Sequence, residues 1–128
     1  MRFWRAMIDQ IEFDKKGAKL ILSGEISSQE IMDANRKLIN HPDFPSFQYE
    51  LWIFRSVIDF KLTADQIRLL AEQDKKASAK NPDLKVAIVT VSSLTFGMSR
   101  MYEALYGEGR WQTKIFSDQA DAEKWINA

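Results

Sequence analysis

The chain has 128 residues, 45% of them hydrophobic and 28% charged, with 18 basic and 18 acidic side chains in balance. That length suits a single domain, residues 1–128, which buries roughly two-thirds of its unfolded surface without staples; the charge balance removes any general pull toward nucleic acid or anionic lipid. Cysteine is absent, which excludes a disulfide framework, a thiolate metal site and a cysteine nucleophile, and fits a reducing, cytoplasmic setting.

The opening Met1-Arg2-Phe3-Trp4-Arg5 does not read as a signal peptide, and none is expected, because Asp9 and Glu12 interrupt any apolar core. No stretch approaches the ~20 apolar residues of a membrane span, so membrane insertion is not expected. Met7 to Phe13 predicts a strand. Asp14-Lys15-Lys16-Gly17 predicts a hairpin turn with glycine at a positive φ, and Ala18 to Leu22 a second strand, antiparallel to the first, ending at Ser23-Gly24. Ser27-Ser28-Gln29-Glu30 is a capping box. The helix it opens carries Ile31, Ala34 and Leu38 on one face and stops at Asn40-His41-Pro42.

Tyr49 to Phe54 predicts a third strand, and Thr63-Ala64-Asp65-Gln66 a second capping box before a helix with Ile67, Leu70 and Ala71 inward and Lys75 and Lys76 in its last turn. Leu84 to Val91 is apolar nearly throughout, as in a parallel strand buried on both faces. Ser92-Ser93 caps a third helix that runs to about Tyr106 and ends at Gly107 and Gly109. Gln112 to Phe116 is the last strand, and Ser117-Asp118 caps a final helix facing inward with Ala122, Trp125 and Ile126. The order β-β-α-β-α-β-α-β-α predicts an α/β domain with one mixed, mostly parallel five-stranded sheet and four helices.

Four segments at the junctions carry a resemblance: Gly24-Glu25-Ile26-Ser27, His41-Pro42-Asp43-Phe44, Phe96-Gly97-Met98-Ser99-Arg100-Met101-Tyr102-Glu103, and Ile115-Phe116-Ser117-Asp118 with Ala122 and Trp125. With the element order, they make nearly the whole chain resemble the SpoIIAA-like fold, shared by STAS anti-sigma-factor antagonists and by CRAL-TRIO lipid-transfer domains. The nearest likeness is to an uncharacterised bacterial branch labelled STAS/SEC-fourteen-like, which implies a fold and no activity. In the antagonists a phosphorylatable serine, in an Asp-Ser-(Ser/Gly)-Gly pattern, opens the helix after the third strand. The stretch here is Asp59-Phe60-Lys61-Leu62-Thr63-Ala64; it lacks that pattern, and Thr63, close to the place, is accounted for as an N-cap.

No catalytic constellation is visible. His41, the single histidine, sits at a helix end where imidazolium complements the dipole, with no triad spacing around it. One histidine and no cysteine leave only hard-oxygen metal sites, with no calcium-loop pattern to form one, and no glycine pattern cradles a phosphate, so no metal or cofactor is expected. In the third helix, Leu94, Met98, Met101 and Leu105 fall within about 60° of one another and predict the core stripe, with Gly97 and Ala104 allowing close approach to the sheet. Phe96 then falls roughly 200° round, beside Ser99, Arg100 and Glu103. Either its turn is not yet helical and the ring points inward, or Phe96 and Arg100, with Tyr102 and Tyr106 at the margin, form a surface anchor. Arg55, Ser92 and Ser93 lie at carboxyl ends of parallel strands, where ligands gather and where helix caps explain the same residues. Trp4 and Trp111 either line a partner surface or close the ends of the core.

The ligand- or partner-binding candidates are therefore Phe96, Arg100, Tyr102, Arg55, Thr63, Ser92 and Ser93. The expected function is a non-catalytic module acting through contacts with a protein partner, a homodimer being one form of it. A carrier of a small apolar or lipid-like ligand is the alternative, and an enzyme with an unrecognised site stands behind it.

Overall fold

A computed structural model describes residues 7–128; Trp4 lies outside the described residues. The elements are β1 (Met7–Phe13), β2 (Gly17–Ser27), α1 (Ser28–Ile39), β3 (Tyr49–Lys61), α2 (Ala64–Ala77), β4 (Lys85–Thr90), α3 (Ser93–Tyr106), β5 (Gln112–Phe116) and α4 (Gln119–Ile126). Each strand pairs with its neighbours in the chain, giving the sheet order β1-β2-β3-β4-β5. The β1–β2 pair is antiparallel and the other three pairs are parallel. Among the described residues this is the β-β-α-β-α-β-α-β-α order that the alternation of elements predicts.

Alternation along β3 decides what lies on each face. Glu50, Trp52 and Phe54 face the layer of α1, α2 and α3, whose Ile31, Leu38, Ile67, Ala71 and Tyr106 pack there with Leu20, Leu22, Val86 and Ile88. Leu51 and Ile53 face the other way, with Ala87 and Val89, and are covered by Ala122, Trp125 and Ile126 of α4. Both capping boxes form: Ser27 Oγ accepts from the Glu30 N–H at 3.2 Å and Thr63 Oγ1 from the Gln66 N–H at 3.2 Å.

Several expectations are corrected. The hairpin turn is held by the Asp14 carboxylate, which accepts from the N–H groups of Lys16 and Gly17 at 2.7 and 2.9 Å. Gly17 serves by its lack of a side chain, because a Cβ there would collide with the carbonyl of its register partner Tyr49. β2 runs past Leu22 to Ser27, and β3 past Phe54 to Lys61. Their register shifts twice, between Leu22 and Gly24 and between Gly24 and Glu25, so β3 takes up two extra residues. Ser56 has φ 54° and Gly24 φ 73°, the backbone signature of such bulges. The two-residue slip returns Phe60 to the face of Phe54, with ring centroids 5.3 Å apart. Val91 falls outside β4 and is 73% exposed. Asp118 occupies the α4 N-cap without a side-chain cap bond. Trp111 is buried, its Nε1 donating to the Asn81 carbonyl at 2.7 Å, so it closes the core.

The largest correction is the rotation of α3. Its buried residues are Thr95, Ser99, Tyr102 and Tyr106, each one position beyond the predicted Leu94-Met98-Met101-Leu105 stripe and so about 100° round. Gly97 and Ala104 face solvent and allow no close approach. Two tyrosine rings bury more surface than leucine and methionine, and their hydroxyls have partners inside. Tyr102 Oη donates to Asp74 at 2.5 Å, and Tyr106 Oη accepts from the Trp111 N–H at 2.9 Å. Ser99 Oγ donates to the Thr95 carbonyl at 2.7 Å, so its polarity is satisfied within the helix.

Candidate functional site

On the three-helix face of the sheet, a cavity of about 60 Å³ lies between β3, β4 and the helices. Trp52, Phe54, Phe60 and Tyr102 supply aromatic wall, and Val86 and Ile88 aliphatic floor. Leu70 of α2 and Met98 of α3 are the lining side chains that are only partly buried, which puts the way in between these two helices.

Two carboxyl groups enter this apolar space. Glu50 projects from the middle of β3, flanked in the sheet by Ala18 and Val86. Its Oε1 accepts from Trp52 Nε1 at 3.0 Å. Its Oε2 has no hydrogen-bond partner, the one buried side-chain polar atom among the described residues in that condition. Asp74, from the last turns of α2, is better provided. Oδ1 accepts from Asn35 Nδ2 of α1 at 2.8 Å and Oδ2 from Tyr102 Oη of α3 at 2.5 Å, so three helices converge on one carboxylate.

Burial sets the charge of the pair. Desolvation, and after it the charge of Asp74, pushes the Glu50 carboxyl up to about 8, against the opposing pull of the Trp52 hydrogen bond. Desolvation also lifts Asp74, to about 6, opposed by the bonds from Tyr102 and Asn35. Both carboxyls are raised, Glu50 the further, so as a pair they hold a proton more readily than two exposed carboxyls do. Among the described residues, no lysine, arginine or histidine lines the cavity. An apolar recess with a few converging polar groups and displaced titrations is the usual form of a small-ligand site.

The residues singled out from sequence do not gather in one place. Tyr102 alone of them reaches this cavity, as a buried wall and hydrogen-bond donor and not as a surface residue. Thr63 and Ser92 are N-caps whose side chains accept from Gln66 and Thr95. Ser93 is the exposed first residue of α3. Arg55 lies within the extended β3, exposed, with a long 3.5 Å contact to Gln119 Oε1. His41 stacks on Phe13 at 4.3 Å, and its Nδ1 accepts from the Asp43 N–H at 3.0 Å. Phe96 and Arg100 do come together: the first turn of α3 is helical, Phe96 is 46% exposed, and the guanidinium lies 5.9 Å from its ring. The inward reading of Phe96 is thus overturned.

Glu50 and Asp74 are the residues that sequence reasoning missed, although a signal for each exists. Period two puts Glu50 on the face of Trp52 and Phe54, and helical spacing puts Asp74 in line with Ile67, Leu70 and Ala71. An acid on an otherwise apolar face marks either an error of register or a site.

No protein-family model and no curated protein matches the chain. One solved structure is similar in fold: an uncharacterized protein of the DUF3478 family with a SpoIIAA-like fold, from Shewanella loihica PV-4. The likeness has a TM-score of 0.51 at 17% identity and covers 94% of this chain and 93% of that one. The fold is therefore SpoIIAA-like, as the junction segments imply.

Proposed function

We propose that this chain is a non-catalytic binding module that encloses a small ligand between its sheet and helices α2 and α3. The observation that carries the reading is the unpartnered Glu50 Oε2 at the wall of an apolar cavity. A buried polar atom without a partner costs roughly 1–3 kcal/mol, and a ligand that engages it recovers that cost on binding. Of the two main expectations from sequence, this favours the small apolar ligand over the protein partner. A cavity of about 60 Å³ takes several heavy atoms; a long acyl chain would require α2 and α3 to part. Native mass spectrometry of the protein purified from its own host tests the reading. A small mass excess that survives gentle ionisation and disappears in a Ser99→Leu variant, which fills the cavity, is the expected result; bare polypeptide mass in both overturns it.

A second reading has its own observation. The apolar stripe Leu94, Met98, Met101 is left partly open by the rotation of α3, and Phe96 and Arg100 stand beside it. Aromatic and arginine side chains are the types enriched at binding hot spots, and a second copy of this chain would cover such a stripe. Sedimentation gives the outcome: equal masses for the wild type and the Phe96→Ala, Arg100→Ala double variant remove the homodimer form of this reading.

A further inference from the structure

Among the described residues, the cavity has acceptors and aromatic rings and no cation to balance them. Glu50 enters from β3, Asp74 from α2, and the hydroxyl of Tyr102 from α3; α1 contributes the neutral Asn35, and β4 only Val86 and Ile88. Tyr106 of α3 stacks beside Tyr102 with ring centroids 6.1 Å apart, and its hydroxyl is engaged by the Trp111 N–H. Four aromatic rings surround two carboxyls with no cationic side chain among the lining residues. Desolvated aromatic faces attract a cation by their quadrupole, and carboxylates do so by charge, so both kinds of wall select for the same ligand property.

We propose that the cavity receives a small protonated primary amine, whose ammonium group donates to Glu50 Oε2 and whose apolar tail points toward Leu70 and Met98. This rests on the reading of the cavity as a ligand site and names the class of ligand. Asp74 has both oxygens engaged by Asn35 and Tyr102 and acts as a fixed negative charge behind the contact. Glu50 has one oxygen held by Trp52 and the other free to accept. An ammonium beside Glu50 favours its ionised form, so binding at neutral pH displaces the proton that the carboxyl otherwise holds. No covalent step is involved: a cation enters and a proton leaves.

A neutral acceptor, such as a carbonyl or ether, is the competing ligand, because protonated Glu50 could donate to it. The two differ in the sign of their pH dependence. Amine affinity rises with pH as Glu50 loses its proton, over the window up to about 8, and falls only as the amine itself deprotonates near 10. Affinity for a neutral acceptor falls over that first window.

The test is a nuclear magnetic resonance titration of the full chain with isobutylamine and with its neutral counterpart isobutanol, from about pH 6 to 9. The Trp52 indole N–H is the reporter, because it donates to Glu50. The expected result is saturable amine binding that tightens with rising pH, with isobutanol at least about tenfold weaker. Glu50→Gln should weaken the amine about thirtyfold or more and isobutanol by far less. The amide keeps the acceptor for Trp52, so this variant is expected to fold, and the comparison of the two probes on the wild type needs no variant. If isobutanol binds as tightly as the amine, or binding weakens as pH rises, the amine class is overturned and the cavity reading stands. If neither probe shifts the indole signal, the cavity holds water alone and both readings fall.

Discussion

A carboxyl group in the middle of a central strand, with Ala18 and Val86 as its sheet neighbours, opposes folding. Glu50 is buried with one oxygen unengaged, and desolvation raises its pKa from 4.5 to about 8. The folded protein then holds a proton that the unfolded chain has released. Its contribution to stability is fully present below about 4.5, is lost as pH rises toward 8, and stays absent above that. Glu50→Gln removes this dependence. At pH 7 the variant should be the more stable by about 3 kcal/mol, with the difference vanishing near pH 4, read from urea unfolding at several pH values. Asp74, raised from 3.8 to about 6, acts in the same direction over its own narrower window. A residue that opposes folding in this way, where leucine would fit, is what a binding site looks like at the scale of one side chain.

At the scale of elements, the two capping boxes are legible in the sequence and helix rotation is not. Ser27–Glu30 and Thr63–Gln66 are capping boxes in sequence and in structure, because cap geometry depends on four consecutive residues. Thr63→Ala should cost about 1 kcal/mol and Thr63→Ser little, measured by thermal unfolding. A larger loss confined to an activity, with stability intact, would show that Thr63 does more than cap. The rotation of α3 escaped because its inner face is Thr95, Ser99, Tyr102 and Tyr106, and a count of apolar residues favours the leucine and methionine stripe beside it. What decides the matter is non-local: Asp74 of α2 accepts from Tyr102, and the chain after α3 brings Trp111 to within 5.9 Å of the Tyr106 ring. The double shift of register between β2 and β3 is likewise not legible, since only the pairing of the two strands shows it. Beyond it, Phe60 and Leu62 line the far wall of the cavity.

For the molecule as a whole, element order was enough to reach the fold, since single strands alternating with helices admit few sheet topologies. The candidate site was only half legible. Alternation places Glu50 among aromatics, and helical spacing places Asp74 among aliphatics, but their meeting depends on α1, α2 and α3 closing over one patch of sheet, with Asn35 and Tyr102 fixing the carboxylate. The site depends on Glu50 being held against an apolar cavity with its carboxyl protonated. Carbon-13 detection of that carboxyl through a pH titration of the free protein reads this state out. A midpoint near 8, moving down when isobutylamine is added, is the predicted result. A midpoint in the ordinary range of glutamate, near 4.3, would show a carboxyl in contact with water and would contradict the site altogether.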